Sequence, residues 1–447
     1  MTSASGRAHL DETHNPASRS WVESANSPGT DFPLQNLPFG VLRRDASARP
    51  FVAIAIGDEV LDCAAVVRAG LFDDLVPGIR EALQARSLNA LMALGRVAAK
   101  DVRRAASKLL RSGTLESTRG QSGRATILVN GSEVEPVLPA DVGDYTDFYA
   151  SIHHAMTVGA MLRPDNPLMP NYKFLPVGYH GRASSIVPSG SSVRRPRGQT
   201  RPDPSAPPIF GPSKSLDYEV ELGAWVAGTN ALGELVPLAR AEERLFGLSL
   251  LNDWSARDIQ AWEYQPLGPF LAKSFATSVG AWVVTLDALE PFRAPIPERA
   301  PDDPAPLAYL GDDSNQARGA FDISLEVWLR SAMMRDKGIG AVRLSRASFA
   351  TMYWTFGQMI AHHTSNGCNL RPGDLIGSGT VSGSDDGSRG CLLEITRRGA
   401  APIVLPSGET RAFLADGDEV TFRGWCERAG AARIGFGECR GEIRAAT

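Results

Sequence analysis

From Ala183 onward the chain is punctuated by short runs in which apolar and polar residues alternate, among them "ASSIVPSG", "DYEVELGAWV", "GAWVVTLDAL", "FDISLEVWL", "GDLIGSGTV", "CLLEITRR", "GDEVTFRGW" and "ARIGFGE". Gly and Pro break these runs, and few helical stretches separate them. Alternation of period two at this spacing predicts an antiparallel β-sandwich or roll rather than alternating βα units. Upstream, "FVAIAIGDEVLDC" alternates about Gly57-Asp58 and predicts a hairpin. From Ser87 the period changes: Leu88, Leu91, Met92, Leu94 and Val97, then Val102, Leu109 and Leu110, fall at helical spacing with Ser87 as N-cap. A polar stretch, "RSGTLESTRGQSGRA", and a turn at Asn130-Gly131 follow. The organisation expected is a loose extension over residues 1–30, an N-terminal domain over 31–138 and a larger C-terminal domain over 139–447. The Pro-rich connections Pro196 to Pro212 and Pro291 to Pro306 read as loops or lids.

Three helical patterns interrupt the strands. One begins near Phe148 in "DYTDFYASIHHAMTVGAML", which sets Asp147, Ser151 and His154 on one face at i, i+4 and i+7 and turns His153 away. The second is "SARDIQAWEY", with Ser255 as N-cap, Asp258 as its box partner and Arg257, Gln260 and Tyr264 on a shared face. The third, "SFATMYWTFGQMIAHHTSNG", places Phe349, Met352, Phe356, Met359, Ile360 and His363 at helical spacing and ends at Asn366-Gly367.

Composition narrows the chemistry. Over 447 residues, 43% apolar and 21% charged content is that of an ordinary globule, and a net charge of -4 supplies no general attraction to nucleic acid or acidic membrane. The expected partner is a small molecule. Five scattered cysteines without a CxxC pair argue against a disulfide framework or zinc knuckle and fit reduced thiols in the cytoplasm. No apolar run reaches the ~20 residues of a membrane span, and the N-terminus has no signal core.

"LDYEVELGAWV" then raises a question. Asp217, Glu219 and Glu221 lie on one face of a strand, with alternate side chains about 6.6 Å apart. Two unit charges at that range repel by about 2.5 kcal/mol at an effective dielectric near 20. A half-solvated strand would tolerate this, and so would a strand facing a cation. Asp147 and, at the end of the apolar run "LSLLND", Asp253 favour the second reading. Hard carboxylate oxygens with no thiolate nearby suit Ca²⁺ or Mg²⁺, so Asp147, Glu219, Glu221 and Asp253 form a candidate site. Lys273, alone in an uncharged stretch from Gln265 to Thr285, is the expected balancing charge.

Among the histidines, His154 shares a face with Asp147 and is the candidate base. His362 and His363 end the third helix and read as structural, while His180 in "VGYHGR" is ambiguous. "IGSGTVSGSDDGSRG" lacks GK[ST] and runs into the strand-like "CLLEIT", so it is no phosphate loop, although its backbone amides can hold a carboxylate. The cluster Arg194, Arg195, Arg197 and Arg201 is cut by prolines and is no nucleic-acid stripe.

The words "FPLQNLPFGV", "DYTDFYAS", "LPVGYHGRASSI", "NDWSARDIQAWEYQPLGPFLAKSF" and "HHTSNGCNLRPGDLIGSGTVSGS" closely resemble the fumarylacetoacetate hydrolase family from about Asp31 to the C-terminus. The resemblance implies a mainly β fold: an SH3-like N-terminal β-barrel, a C-terminal mixed β-sandwich roll carrying the site, and a homodimer. It implies hydrolysis of 4-fumarylacetoacetate to fumarate and acetoacetate, the last step of tyrosine and phenylalanine catabolism. Carried over by motif, Ca²⁺ would take Asp147, Glu219, Glu221 and Asp253, with Asp217 a neighbour. Mg²⁺ would sit near Asp253, Lys273 and Thr277, although a protonated Lys has no lone pair to give a metal. His154 matches the family's base and Glu394 the carboxylate that orients it. Substrate contacts fall on Tyr149, Arg163, Tyr179, Gln260, Tyr264 and Thr380. Departures are a second His in "SIHHA" and Ala276, where Gly is expected, in "KSFAT".

A β-diketone splits hydrolytically when water adds to one carbonyl and the other receives the electrons as an enolate. His154 is expected to take the water proton, a metal to act as Lewis acid, Arg257, Gln260 and Lys273 to face the oxyanion, and Arg163 with the tyrosines to grip the substrate carboxylate. The rivals are an acylpyruvate hydrolase or 2-oxo acid decarboxylase or isomerase on the same scaffold, and a Ca²⁺-dependent binding module without catalysis.

Overall fold

The computed structural model describes residues 10–447. The hairpin forms where the alternation places it: Phe51–Ile56 pairs antiparallel with Glu59–Asp62, Ile56 opposite Glu59, and Gly57 takes the turn at φ 56°. Leu128–Asn130, Phe39–Arg43 and Glu135–Pro136 complete an antiparallel five-stranded sheet. The helical stretch after it is split. Gly95 adopts φ 83°, ending the short helix Asn89–Ala93 and starting Gly95–Leu110. Ser87 does not cap the first helix, whose N-cap is Leu88; its hydroxyl bonds the Asn89 side chain instead.

The C-terminal part is a roll of two sheets. An eight-stranded mixed sheet runs Gly178–Gly181, Tyr145–Phe148, Leu375–Gly377, Val220–Val226, Leu245–Asp253, Thr277–Val279, Ile186–Pro188, with Val284–Thr285 pairing Leu245–Asp253 beside this path. A five-stranded sheet runs Val342–Ser348, Ser324–Arg330, Glu419–Cys426, Ile434–Arg444, Ser192–Arg194. Most pairings are antiparallel, and parallel joins occur where Tyr145–Phe148, Ile186–Pro188 and Ser192–Arg194 insert. Leu222, Leu248 and Leu250 of the larger sheet share a core with Leu325, Val327 and Phe422 of the smaller. Trp225, Phe246 and Leu251 instead join the N-terminal core of Phe39, Val41 and Ile54. Burial on both faces explains why "LFGLSLL" is almost uninterruptedly apolar.

Several expectations are corrected. From Leu10 the extension is ordered: His14 Nε2 meets the Asp287 carbonyl at 2.8 Å, Ser20 bridges to Arg111, and Val22 is buried. Residues 1–9 lie outside the described residues. The first Pro-rich connection holds a hairpin, Arg197–Thr200 with Ile209–Pro212. "CLLEIT" is not a strand but carries the helical turn Leu392–Ile395. Phe349 lies in a separate 3₁₀ turn, and the third helix spans Phe356–Thr364 behind a Thr355–Gln358 capping box. Among the described residues no helix is long and apolar enough to cross a membrane.

A buried ion-pair group joins the extension, the helix Gly95–Leu110 and the roll. Arg103, fully buried, donates to Asp287 Oδ2 at 3.2 Å, to the carbonyls of Asn36 and Gln35, and to Thr13. Lys100 reaches Asp287 at 3.1 Å, and Arg104 pairs with Asp11 at 2.9 Å.

Candidate active site

The acidic stretch is not one strand: Leu216–Asp217 pairs with Ser255–Ala256, Val220–Val226 joins the larger sheet, and Glu219 lies between them, so each of its three carboxylates has a different task. Asp217 accepts from the amides of Leu392 and Leu393 at 2.8 and 3.0 Å and from Arg257 Nε at 2.9 Å. It therefore fastens the turn that carries Glu394 to the helix Arg257–Glu263. Glu219 accepts from Arg257 Nη1 at 2.6 Å and from Lys273. Glu221, two residues on, meets Asp147 and Asp253: one oxygen from each of these three buried carboxylates lies within 4.8 Å of the others.

Local sequence sets that meeting. Asp147 sits on the strand Tyr145–Phe148, opposite Tyr179 on one side and Gly377 on the other. The helical face expected to join it to His154 does not exist; "DYTDF" follows period two, and the helix starts at Ile152 with Ser151 as N-cap. Asp253 ends the strand Leu245–Asp253, as the apolar run predicts. At Gly377 an added Cβ would overlap the Asp147 carboxylate and come within 3.2 Å of Glu221 Oε2. Gly379, at φ 76°, donates its N–H to Asp147 Oδ1 at 3.2 Å and Glu221 Oε2 at 3.0 Å. The glycine-rich segment thus holds carboxylates, not phosphate.

Charge and unmet bonding fit a divalent cation. Five buried carboxylates (Asp147, Asp217, Glu219, Glu221, Asp253) face two cations, Arg257 and Lys273, and Glu221 Oε1 has no hydrogen-bond partner among the described residues. Burial, then repulsion from Asp253, pushes Asp147 well above the usual carboxylate range. Burial, then Asp147 and Asp253, does the same to Glu221. Burial raises Asp253 too, although Lys273 opposes it. Glu219 differs: against burial, Lys273 and Arg257 hold it well below its ordinary value. Three of the four expected ligands therefore converge, and the fourth is ion-paired.

Lys273 bridges two of the acids. It donates to Asp253 Oδ2 at 2.6 Å and to Glu219, and against the effect of burial these acids push its pKa up, so it carries a proton and no lone pair. Thr277 Oγ1 lies beside the same carboxylate, 3.4 Å from Asp253 Oδ1.

The second centre is His154 with Glu394, 240 residues apart and joined by Nδ1 to Oε2 at 2.8 Å, both buried. Against burial, His154 and the Ser382 hydroxyl hold Glu394 below its usual value. An ionised carboxylate only accepts, so Nδ1 carries the proton and Nε2 is left as the basic nitrogen. The Tyr149 ring meets His154 edge-on at 5.2 Å.

Other expected residues divide. Tyr179 donates to Asp253 Oδ2 at 2.8 Å, Gln260 accepts from Arg257 Nη1 at 3.3 Å, and Thr380 is buried next to Gly379. Arg257 Nη2 is buried without a partner among the described residues, a donor left over for a ligand. Tyr264 is bonded to its neighbour Gln265, and Arg163, just past its helix, donates to the Pro167 carbonyl; neither is joined to the carboxylates among the described residues. Ser255 does not cap its helix but bonds the Asp253 carbonyl, and Asp258 accepts from Ser213 and Lys214. His362 and His363 bond Tyr309 and Thr146. Arg197 and Arg201 stack on Phe210 and Trp262.

Sequence reasoning missed the roles of Gly377, Ser382 and Cys391. Only the glycine-rich composition around the first two signalled anything. Two clefts of about 970 Å³, one beside Arg44 and Arg68 and one beside Arg96 and Arg244, contain none of these residues. The buried cluster is nonetheless the candidate site, because perturbed titratable groups converge there.

Comparison with known proteins gives two family matches: fumarylacetoacetate (FAA) hydrolase C-terminal over residues 145–444, and fumarylacetoacetase N-terminal over residues 35–139. The chain is similar to proteins named fumarylacetoacetase. It is 49% identical to that of Caenorhabditis elegans over 418 residues, covering 93% of this chain and 96% of the relative. The Arabidopsis thaliana protein is 48% identical over 413 residues (92% and 95%), and the human one 45% over 415 residues (93% and 96%).

Proposed function

The chain belongs to the fumarylacetoacetate hydrolase family, and from that premise we propose that it is a metal-dependent enzyme cleaving the carbon–carbon bond of 4-fumarylacetoacetate to fumarate and acetoacetate, with His154 as general base. The observation that carries this reading is that one short acidic stretch serves both centres, Asp217 fastening the turn of Glu394 and Glu221 meeting Asp147 and Asp253.

Asp147, Glu221 and Asp253, with Glu219 alongside, would hold Ca²⁺, and Mg²⁺ would lie on the Asp253 and Thr277 side. A divalent ion there supplies Lewis-acid polarisation of the diketone oxygens. The chain's own groups do the rest. Glu394 fixes the His154 tautomer, so that Nε2 takes a proton from water as its oxygen bonds one carbonyl carbon. Arg257 through Nη2, Gln260 and Lys273 donate to the oxyanion so formed. When the carbon–carbon bond breaks, its electron pair passes to the second carbonyl as an enolate, and the proton on His154 returns to that fragment. Tyr149, Tyr179, Tyr264, Thr380 and Arg163 are assigned to substrate binding.

The same reading takes residues 31–138 and 139–447 as two domains of a cytoplasmic homodimer. The test is the loss of diketone absorbance with fumarylacetoacetate beside a panel of acylpyruvates. The expected result is kcat/KM at least ~100-fold higher for fumarylacetoacetate, the scale of discrimination by a fitted site. Preference for an acylpyruvate would transfer the chain to the rival on the same scaffold.

A further inference from the structure

The resting geometry of Glu394 is unequal. Oε2 accepts three bonds: from His154 Nδ1 at 2.8 Å, from the Ser382 hydroxyl at 2.7 Å and from the Cys391 thiol at 3.4 Å. Oε1, equally buried, has no partner among the described residues. Ser382 is itself held in place, accepting from the Gly390 amide at 3.0 Å while its carbonyl accepts from Ser151, the N-cap of the His154 helix. Cys391 is fully buried, and burial together with Glu394 pushes its thiol well above its ordinary pKa, so it remains a donor.

We propose that Ser382 and Cys391 are positioning residues that set the basicity of His154 by sharing its acceptor, the Glu394 Oε2 atom. Donors that share one oxygen drain charge from it, so each additional donor weakens the acceptor offered to the imidazole and makes the imidazolium less stable. The other charged and titratable groups facing the pair are Glu219, Asp217, Arg257, Tyr149 and Arg389 from neighbouring elements, and His153 on its own helix. None of them contacts Oε2 in the structure, so they form a common background to the changes below.

The inference rests on His154 being the base, and the test separates the two. In the full chain with divalent cation, the His154 pKa is read by NMR of labelled imidazole carbons, alongside the acid limb of the kcat/KM profile. Cys391→Ala is expected to raise the His154 pKa by about half a unit and Ser382→Ala by about one, in line with the strength of the bonds lost. Cys391→Ser, which restores a donor, returns it to the wild-type value, with KM unchanged throughout. An unmoved imidazole pKa in Cys391→Ala, or Cys391→Ser titrating like the alanine variant, overturns the proposal. An imidazole pKa that moves without the kinetic limb leaves the positioning intact and removes His154 from the base role.

Discussion

Two groups of buried charge in this molecule solve opposite problems. Around Arg103, the guanidinium meets Asp287, Thr13 and two carbonyls, and Asp287 and Asp11 are shared with Lys100 and Arg104. Three cations share two carboxylates, and the Arg103 donors are all engaged. Around Glu221, carboxylates outnumber cations, Glu221 Oε1 and Arg257 Nη2 are without partners among the described residues, and three acids are pushed toward holding protons. The first group closes an interface between segments distant in sequence. The second is incomplete on its own, and incompleteness, rather than charge or burial alone, marks the place built to receive something.

The contrast can be broken most directly by chelation. Thorough removal of divalent ions is expected to reduce turnover to background and their return to restore it; full activity in metal-free protein would make the carboxylate group structural after all. His154→Ala comes next, with kcat down about 1,000-fold while metal content and thermal midpoint stay as in the parent. Normal kcat would return the base role to an unassigned group. Gly377→Ala presses a methyl against Asp147 and Glu221. Divalent-ion affinity by calorimetry should fall about 10- to 100-fold, the range seen when groups supporting a metal's ligands are disturbed.

Arg103→Leu reverses the pattern. It should cost about 3–5 kcal/mol of stability by breaking a buried pair with Asp287, which keeps only Lys100, and stranding the Asn36 and Gln35 carbonyls, yet leave kcat of the folded enzyme unchanged; a kcat defect would dissolve the distinction. The smallest effect is on pH. In metal-free protein, Asp147, Glu221 and Asp253 have raised folded pKa values, so the folded state binds more protons than the unfolded one, and stability falls as pH rises through those values. Asp11 is depressed, with Thr13 and Arg104 overcoming burial, so its contribution is present above the unfolded carboxylate value and lost on acidification. Thermal midpoints against pH should show both arms, with Asp11→Asn flattening only the acid one.

Much of this was legible in the chain. The hairpin at Gly57, the strand delivering Asp253 and the face of Arg257 and Gln260 all follow local periodicity, which local backbone geometry enforces. Asp147 was misplaced because five residues fit period two and the start of a helix equally well, and only pairing with Gly178–Gly181 and Leu375–Gly377 decides between them. Glu394 and His154 are brought together by tertiary packing, which periodicity does not encode, and only the family resemblance paired them. Glu219 was legible as one of the acids, but its ion pairs with Arg257 and Lys273 were not, because both partners come from elements distant in sequence.

The alternation of Asp217, Glu219 and Glu221 also acts as a gauge with fixed rungs. Because a single backbone spaces the anchor of the Glu394 turn from the carboxylates around Gly379, neither centre can be re-cut without disturbing the other. Inserting one residue between Asp217 and Glu221 would change the span that ties the strand Leu216–Asp217 to Val220–Val226, so an engineer who wants a new substrate should leave this stretch alone and reshape the loops around Arg163 and Tyr264.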